Sequence, residues 1–236
     1  MRLAVNIDHF ATLREARRDA EPEPALAALL AEQAGACGIV CHIRHDRRHI
    51  KERDLRVLRE VVKTKLNVEM AATAEMKAVA LDIRPDVVSL VPERPEELTT
   101  EGGLKVVANR KALGPHVEAL RQAGIRTSIF IDTSRDEIKA AREIGVDLIE
   151  INTGRYADLK EGPERDRALA AVREAAAYGQ GLGLEVHGGH GLDYRNVGPI
   201  AALPEIAELS IGFAIVARAA VVGIERAVLD MLALLG

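Results

Sequence analysis

The chain has 236 residues, 48% of them hydrophobic and 29% charged, with no tryptophan, three Phe and three Tyr; that length suits one large domain or two small ones and supports a sizeable core. Thirty-two Lys and Arg against 36 Asp and Glu leave a formal net charge of −4. With so few aromatic rings, this balance argues against a nucleic-acid binder working by charge and base stacking, and the even supply of Ile, Leu, Val and Ala excludes disorder.

Residues 2–8 carry neither the apolar stretch nor the small-residue cleavage site of a secretory signal. The most apolar later segment, residues 211–224, is interrupted by Arg218 and is too short to span a bilayer. A cytoplasmic protein is expected. Cys37 and Cys41 lie four apart in what reads as one strand; an extended strand would hold them roughly 13 Å apart, beyond disulfide reach, so two buried thiols are expected.

Short β-rich runs alternate with amphipathic stretches from one end to the other. Strands are expected at 3–8, 39–43, 66–70, 87–91, 127–131, 148–152, 184–187 and 209–211. Helices are expected at 24–33, 54–62, 74–83, 117–123, 136–144 and 164–177, with a last one at about 222–234. Gly35, Gly124 and Gly145 stand where a helix would end in a left-handed cap before the next strand. Eight such units average about 29 residues each, near the size of a (β/α)8 barrel unit. A doubly wound sheet would also alternate, but its G-x-G-x-x-G after the first strand is replaced by Asp8-His-Phe-Ala-Thr-Leu. The expectation is an α/β protein, a single-domain TIM barrel over residues 1–236 with a long loop after strand 4.

Strand parity sharpens this. Ala4, Asn6 and Asp8 oppose Leu3, Val5 and Ile7; Asn67 and Glu69 oppose Leu66, Val68 and Met70; Glu150 and Asn152 oppose Ile149 and Ile151; Val40, His42 and Arg44 oppose Ile39, Cys41 and Ile43. The apolar face must meet the helices, so the polar parity points into the barrel. Burying such groups unpaired costs roughly 2–7 kcal/mol each, an expense that chemistry explains better than packing.

Each polar cluster has a functional and a plain reading. Asp8-His9, with Arg14, Arg17 and Arg18 in the loop that follows, reads as a clamp on an anionic, hydroxyl-rich substrate or as a solvated helical face. The run from His42 to His49 is basic at six of eight positions; it reads as phosphate recognition at the barrel rim, with a surface charge run or an RNA contact as the alternatives. His42 has the inward parity of an acid–base group, whereas His45 and Arg47 read as loop surface. Glu69 reads as a general base, or as a structural carboxylate paired with an inward Arg. In His187-Gly-Gly-His-Gly191 the glycines let backbone N–H groups approach a ligand, and His190 reads as a rim proton donor; a zinc pair lacks helical spacing and a third ligand. Gly212, opening a helix after strand 8, sits where barrels bind phosphate on helix N-terminal amides, or is simply a cap. Residues 92–103 carry prolines at one end and glycines at the other, as a lid would. No Lys ends a strand at the rim, which argues against imine chemistry.

Asn6-Ile-Asp-His9, His42-x-Arg with Asp46-Arg-Arg-His-Ile50, Asn67-x-Glu-Met70, Leu90-Val-Pro-Glu93, Thr99-Thr-Glu-Gly-Gly103, Phe130-Ile-Asp132 and Gly189-His-Gly-Leu192 together resemble the pyridoxine 5′-phosphate synthase family, in the right order and across essentially the whole chain. The resemblance implies a barrel that condenses 3-amino-2-oxopropyl phosphate with 1-deoxy-D-xylulose 5-phosphate, giving pyridoxine 5′-phosphate, phosphate and water, with neither metal nor organic cofactor. It implies Glu69 and His42 as proton acceptors and His190 as proton donor. It assigns Asp8, His9, Arg17, Arg44, His49 and Thr99 to the deoxyxylulose phosphate and Asn6, Gly191, Gly212 and Phe213 to the amino-ketone phosphate. It also implies a cytoplasmic homo-oligomer, typically an octamer, with small-molecule partners and no nucleic acid or membrane. The chain departs from the family pattern at Phe213 and Asn152, each where His is usual, and at His187-Gly188, where Asn-Ala is usual. The competing readings are a metal-assisted sugar-phosphate aldolase or isomerase and a non-catalytic barrel that binds phosphometabolites.

Overall fold

The computed structural model describes residues 1–93 and 102–236. Strands β1 (Arg2–Asn6), β2 (Gly38–His42), β3 (Leu66–Met70), β4 (Val87–Leu90), β5 (Arg126–Ile131), β6 (Leu148–Asn152), β7 (Glu185–Gly189) and β8 (Glu208–Ile211) are all parallel and close in sequence order into a barrel, with β8 pairing back onto β1. Around them run α1 (Asp8–Arg17), α2 (Pro24–Gln33), α3 (Glu52–Val61), α4 (Ala74–Ile83), α5 (Val106–Gln122), α6 (Arg135–Glu143), α7 (Gly154–Asp158), α8 (Pro163–Gly181), α9 (Val197–Ala201), α10 (Phe213–Val222) and α11 (Ile224–Leu235). This is the expected TIM barrel.

Local chemistry sets the helix starts. Thr73 accepts a hydrogen bond from the Met76 amide to open α4, and Pro24 and Pro163 occupy the first turns of α2 and α8, where no N–H is needed. Gly35, Gly124 and Gly145 all take positive φ between helix and strand, as expected. Leu3, Val5, Ile39, Cys41, Val68 and Met70 are buried against the helices, so the apolar parity faces outward.

The departures have physical causes. The arginines after β1 lie on or at the end of a helix rather than in a loop, because α1 begins at Asp8, whose carboxylate sits in the first turn. Helix α5 starts eleven residues before the expected 117 and runs through Pro115; the carbonyl that Pro115 leaves unbonded belongs to exposed Lys111, where water can satisfy it. The expected last helix is α11, and the helix expected to open at Gly212 is α10; Gly223 at φ 85 separates the two. Cys37 precedes β2 rather than lying in it. Both cysteines are free; Cys41 is fully buried, while half-buried Cys37 donates to Glu208 at 3.3 Å, and burial together with that carboxylate pushes its thiol up to about 11.

The two ends of the barrel differ. At the N-terminal end an ion network fills the bore. Arg2 and Arg126 hold Glu185 at 2.5 and 2.8 Å, Lys65 holds Glu208 at 2.5 and 2.6 Å, and His187 sits 2.9 Å from Glu185 and 3.6 Å from Glu208. Lys65, placed by the sequence away from the rim, is part of this plug. The other end opens into a cavity.

Candidate active site

The register brings the polar parity together. His42 on β2 is the direct partner of Glu69 on β3, and Glu150 on β6 lies between Phe130 on β5 and His187 on β7. At the C-terminal end of the strands they help line a cavity of about 620 Å³ with Asn6, Asp8, His9, Arg44, His49, His190, Gly191, Gly212 and Phe213. Of the thirteen site residues expected from sequence, eleven line this space. Arg17 does not: it ends α1 on an exposed turn. Thr99, with most of the expected lid, lies outside the described residues.

Asp8 accepts from the Asn6 amide at 2.9 Å and from the His42 backbone N–H at 2.7 Å, tying the ends of β1 and β2 together. Burial pushes the Glu69 carboxyl well above the usual carboxylate range, and the nearby charges of Glu150 and Asp8 push the same way. Burial, with Glu208 adding to it, lifts Glu150 to about 7. Carboxyls raised in this way can hold a proton and pass it on. Burial lowers the His49 ring below the usual imidazole range; its Nδ1 accepts from the Ile50 N–H, which leaves Nε2 as its other ring nitrogen.

His190 stands in a sharply turned segment, with φ 82 followed by Gly191 at φ 74. A non-glycine residue there stores roughly 1–3 kcal/mol of strain, and buried Thr153 offsets it: its hydroxyl lies 2.7 and 2.6 Å from the carbonyls of Gly189 and His190. Gly154 leaves room for the ring, since a Cβ there would lie 2.8 Å from His190 Cδ2. Gly189 does the same for Glu150, whose Oε1 would be 2.2 Å from an added Cβ. Gly212 precedes α10 and lines the cavity at its mouth; a Cβ on it would press on Asn6 at 3.0 Å, so a glycine here keeps the opening of α10 close to the site, as anion binding requires. Exposed Phe213 sets its ring edge-on to His9, with centroids 5.2 Å apart.

His187 and His190 do not form a pair, because His187 belongs to the lower ion network. Among the described residues, one group has ligating atoms close enough for a metal ion: Asp8, His42 and Glu69, all within 4.8 Å of one another. Both Asp8 oxygens there already accept hydrogen bonds.

Sequence reasoning did not single out Glu150 or Glu93. Glu150 carries the inward parity of β6. Glu93 continues the parity of Val87, Ser89 and Val91 past the end of β4, and its buried carboxylate meets His42 Nε2 at 2.9 Å. Arg14, one of the expected clamp arginines, turns away from the cavity to pair with Asp54.

A closed parallel barrel with paired titratable groups, a helix N-terminus and buried arginine at its C-terminal mouth is the architecture of a TIM-barrel enzyme that handles phosphorylated substrates. Residues 3–236 match the family model described as "Pyridoxal phosphate biosynthesis protein PdxJ", and the chain belongs to that family. It is 54% identical over 236 residues to the pyridoxine 5′-phosphate synthase of Chlorobium luteolum, covering 100% of both chains. It is also 54% identical over 233 residues to the enzyme of that name from Thermosynechococcus vestitus, covering 99% of this chain and 98% of that one. Among solved structures, phosphoribosyl anthranilate isomerase from Thermus thermophilus superposes with a TM-score of 0.61 at 15% identity, covering 100% of this chain and 98% of that one; this likeness is one of fold.

Proposed function

We propose that this chain is a pyridoxine 5′-phosphate synthase, joining the amine of 3-amino-2-oxopropyl phosphate to the ketone of 1-deoxy-D-xylulose 5-phosphate and releasing phosphate and water. The observation that carries the reading is the in-register pair His42–Glu69, lining with His190 a mouth that the N-terminus of α10 also borders. Ring formation needs repeated proton shifts at neutral pH, and raised carboxyls beside histidines supply them without metal or organic cofactor. Glu69 and His42 take protons, and His190 returns one to a leaving oxygen. Arg44, His49, Asp8 and His9 hold the sugar phosphate, while Asn6, Gly191, Gly212 and the Phe213 amide hold the amino-ketone phosphate. The departure at Phe213 leaves only its backbone N–H as a phosphate donor, while its ring packs on His9.

The working unit is proposed to be a cytoplasmic homo-oligomer, an octamer by family resemblance, with Arg17 and Thr99 completing the sugar-phosphate site. Among the described residues, no helix is long and apolar enough to cross a membrane.

Purified protein mixed with both phosphorylated substrates and EDTA is expected to form pyridoxine 5′-phosphate, followed by chromatography. No product with or without chelator sinks the reading; product lost only on chelation shifts it to a metal-assisted enzyme. Glu69→Gln is expected to lower kcat by about 100-fold or more with little change in KM.

A further inference from the structure

The proton-acceptor role of His42 requires a free lone pair on the ring nitrogen that faces the substrate, and an imidazole carries its proton on either nitrogen. One nitrogen, Nδ1, points toward Glu69, 4.0 Å from its Oε2. The other, Nε2, lies 2.9 Å from Oε1 of Glu93. Glu93 is placed three residues past β4, and its side chain is 3% exposed.

The second oxygen of Glu93 is also committed. Oε2 accepts from the backbone N–H of His45 at 3.1 Å and lies 3.0 Å from His45 Nδ1. Despite its burial, the Glu93 carboxyl is held down to about 2 by the hydrogen bonds and charges of His42 and His45. An ionised carboxylate can only accept, so the proton between Glu93 and His42 belongs to Nε2.

The geometry points to Glu93 as the positioning residue that fixes the His42 tautomer, placing the proton on Nε2 and leaving the Nδ1 lone pair aimed into the cavity beside Glu69. This rests on the synthase reading above and adds a residue to it. The groups that face His42 are consistent with the assignment. Asp8 accepts from its backbone N–H rather than from its ring, and the His49 ring lies edge-on at 6.3 Å. Glu69 stays beyond hydrogen-bond distance of Nδ1, so a substrate proton can be taken by either group. The arrangement repeats the logic by which a buried carboxylate orients a catalytic histidine in hydrolases. It also ties the loop after β2, through His45, to the chain at the end of β4.

The test reads the tautomer directly. In protein labelled with 15N-histidine, with the His42 signals assigned by their loss in His42→Asn, the ligand-free wild type at pH 8.5 is expected to show Nε2 protonated and Nδ1 unprotonated. Glu93→Gln, whose amide can either accept from or donate to Nε2, is expected to give a mixture of tautomers and a kcat roughly 10- to 100-fold lower, with KM within about threefold, since proton transfer by a positioned group contributes on that order or more. Glu93→Asp keeps the charge and should retain the wild-type tautomer with a smaller loss of kcat. A wild-type His42 protonated on Nδ1 overturns the proposal without any variant, as does a Glu93→Gln enzyme with wild-type kcat. Absence of product from the wild type itself would instead refute the synthase reading, leaving the tautomer measurement to stand alone.

Discussion

Glu150 shows what the site costs the fold. Its carboxyl is buried at the cavity floor, and burial with the neighbouring Glu208 charge lifts it to about 7, against roughly 4.3 in an unfolded chain. Between those values the folded state binds the proton that the unfolded state has released. Stability is therefore full below about pH 4.5, is lost as pH rises toward 7, and stays low above it; the loss is about 4 kcal/mol. Glu150→Gln removes the titration. Relative to wild type, the variant should gain about 2.5 kcal/mol between pH 5 and pH 8, read from urea midpoints at the two pH values. A constant difference would mean that Glu150 does not titrate in this window. Such a gain from removing an active-site residue is the usual exchange of stability for function.

At the scale of elements, the site depends on how α1 and α3 are joined. Arg14 on α1 holds both oxygens of Asp54 on α3, at 2.7 and 2.8 Å, and donates to the His49 carbonyl at 3.0 Å. Asp54 also accepts from the Lys51 N–H that opens α3. The pair clamps the loop that presents His49 to the cavity. Asp54→Ala leaves the buried guanidinium with Glu15, at 3.1 Å, as its one remaining carboxylate partner among the described residues and should cost about 3 kcal/mol, the lower end for a broken buried pair, seen as a lower urea midpoint. In the surviving folded enzyme KM for the sugar phosphate should rise more than kcat falls, because His49 loses its anchor. This clamp was not legible in the sequence. Arg14, Arg17 and Arg18 look alike as residue types, and only the start of α1 at Asp8 decides that Arg14 faces Asp54 while Arg17 faces solvent. The barrel and its lining were legible, because period-two alternation encodes which side chains point inward: His42, Glu69 and Asn6 stand where parity put them. Glu150 carried the same signal, and Glu93 only by extending it past a proline. The passage of α5 through Pro115 was not, since it depends on which face meets water.

Over the whole molecule, chemistry and cohesion occupy opposite ends of one bore. The mouth holds raised carboxyls that weaken the fold, while the N-terminal end holds the network of Arg2, Lys65, Arg126, Glu185, His187 and Glu208 that seals it. Burial by itself would raise Glu208, but His187, Lys65 and the Cys37 thiol together hold it below its ordinary value. Its contribution is thus present above the unfolded carboxylate pKa and is lost as pH falls through the lowered folded value. Lys65→Met deletes the cation at 2.5 Å and leaves a carboxylate of 4% side-chain exposure with a histidine, a thiol and the more distant Arg2 guanidinium at 3.6 Å. The cost should be about 3–5 kcal/mol at pH 8. It should shrink at pH 5, where the carboxyl, no longer held down by Lys65, takes up a proton in the folded state. Because Lys65 also lowers Glu150, its removal should push the Glu150 carboxyl further up and carry the effect from the plug to the mouth. Urea unfolding at both pH values checks the first expectation, and the pH–rate profile of the variant checks the second. A Lys65→Met protein with wild-type stability at pH 8 would mean that the network closes the bore without holding it together.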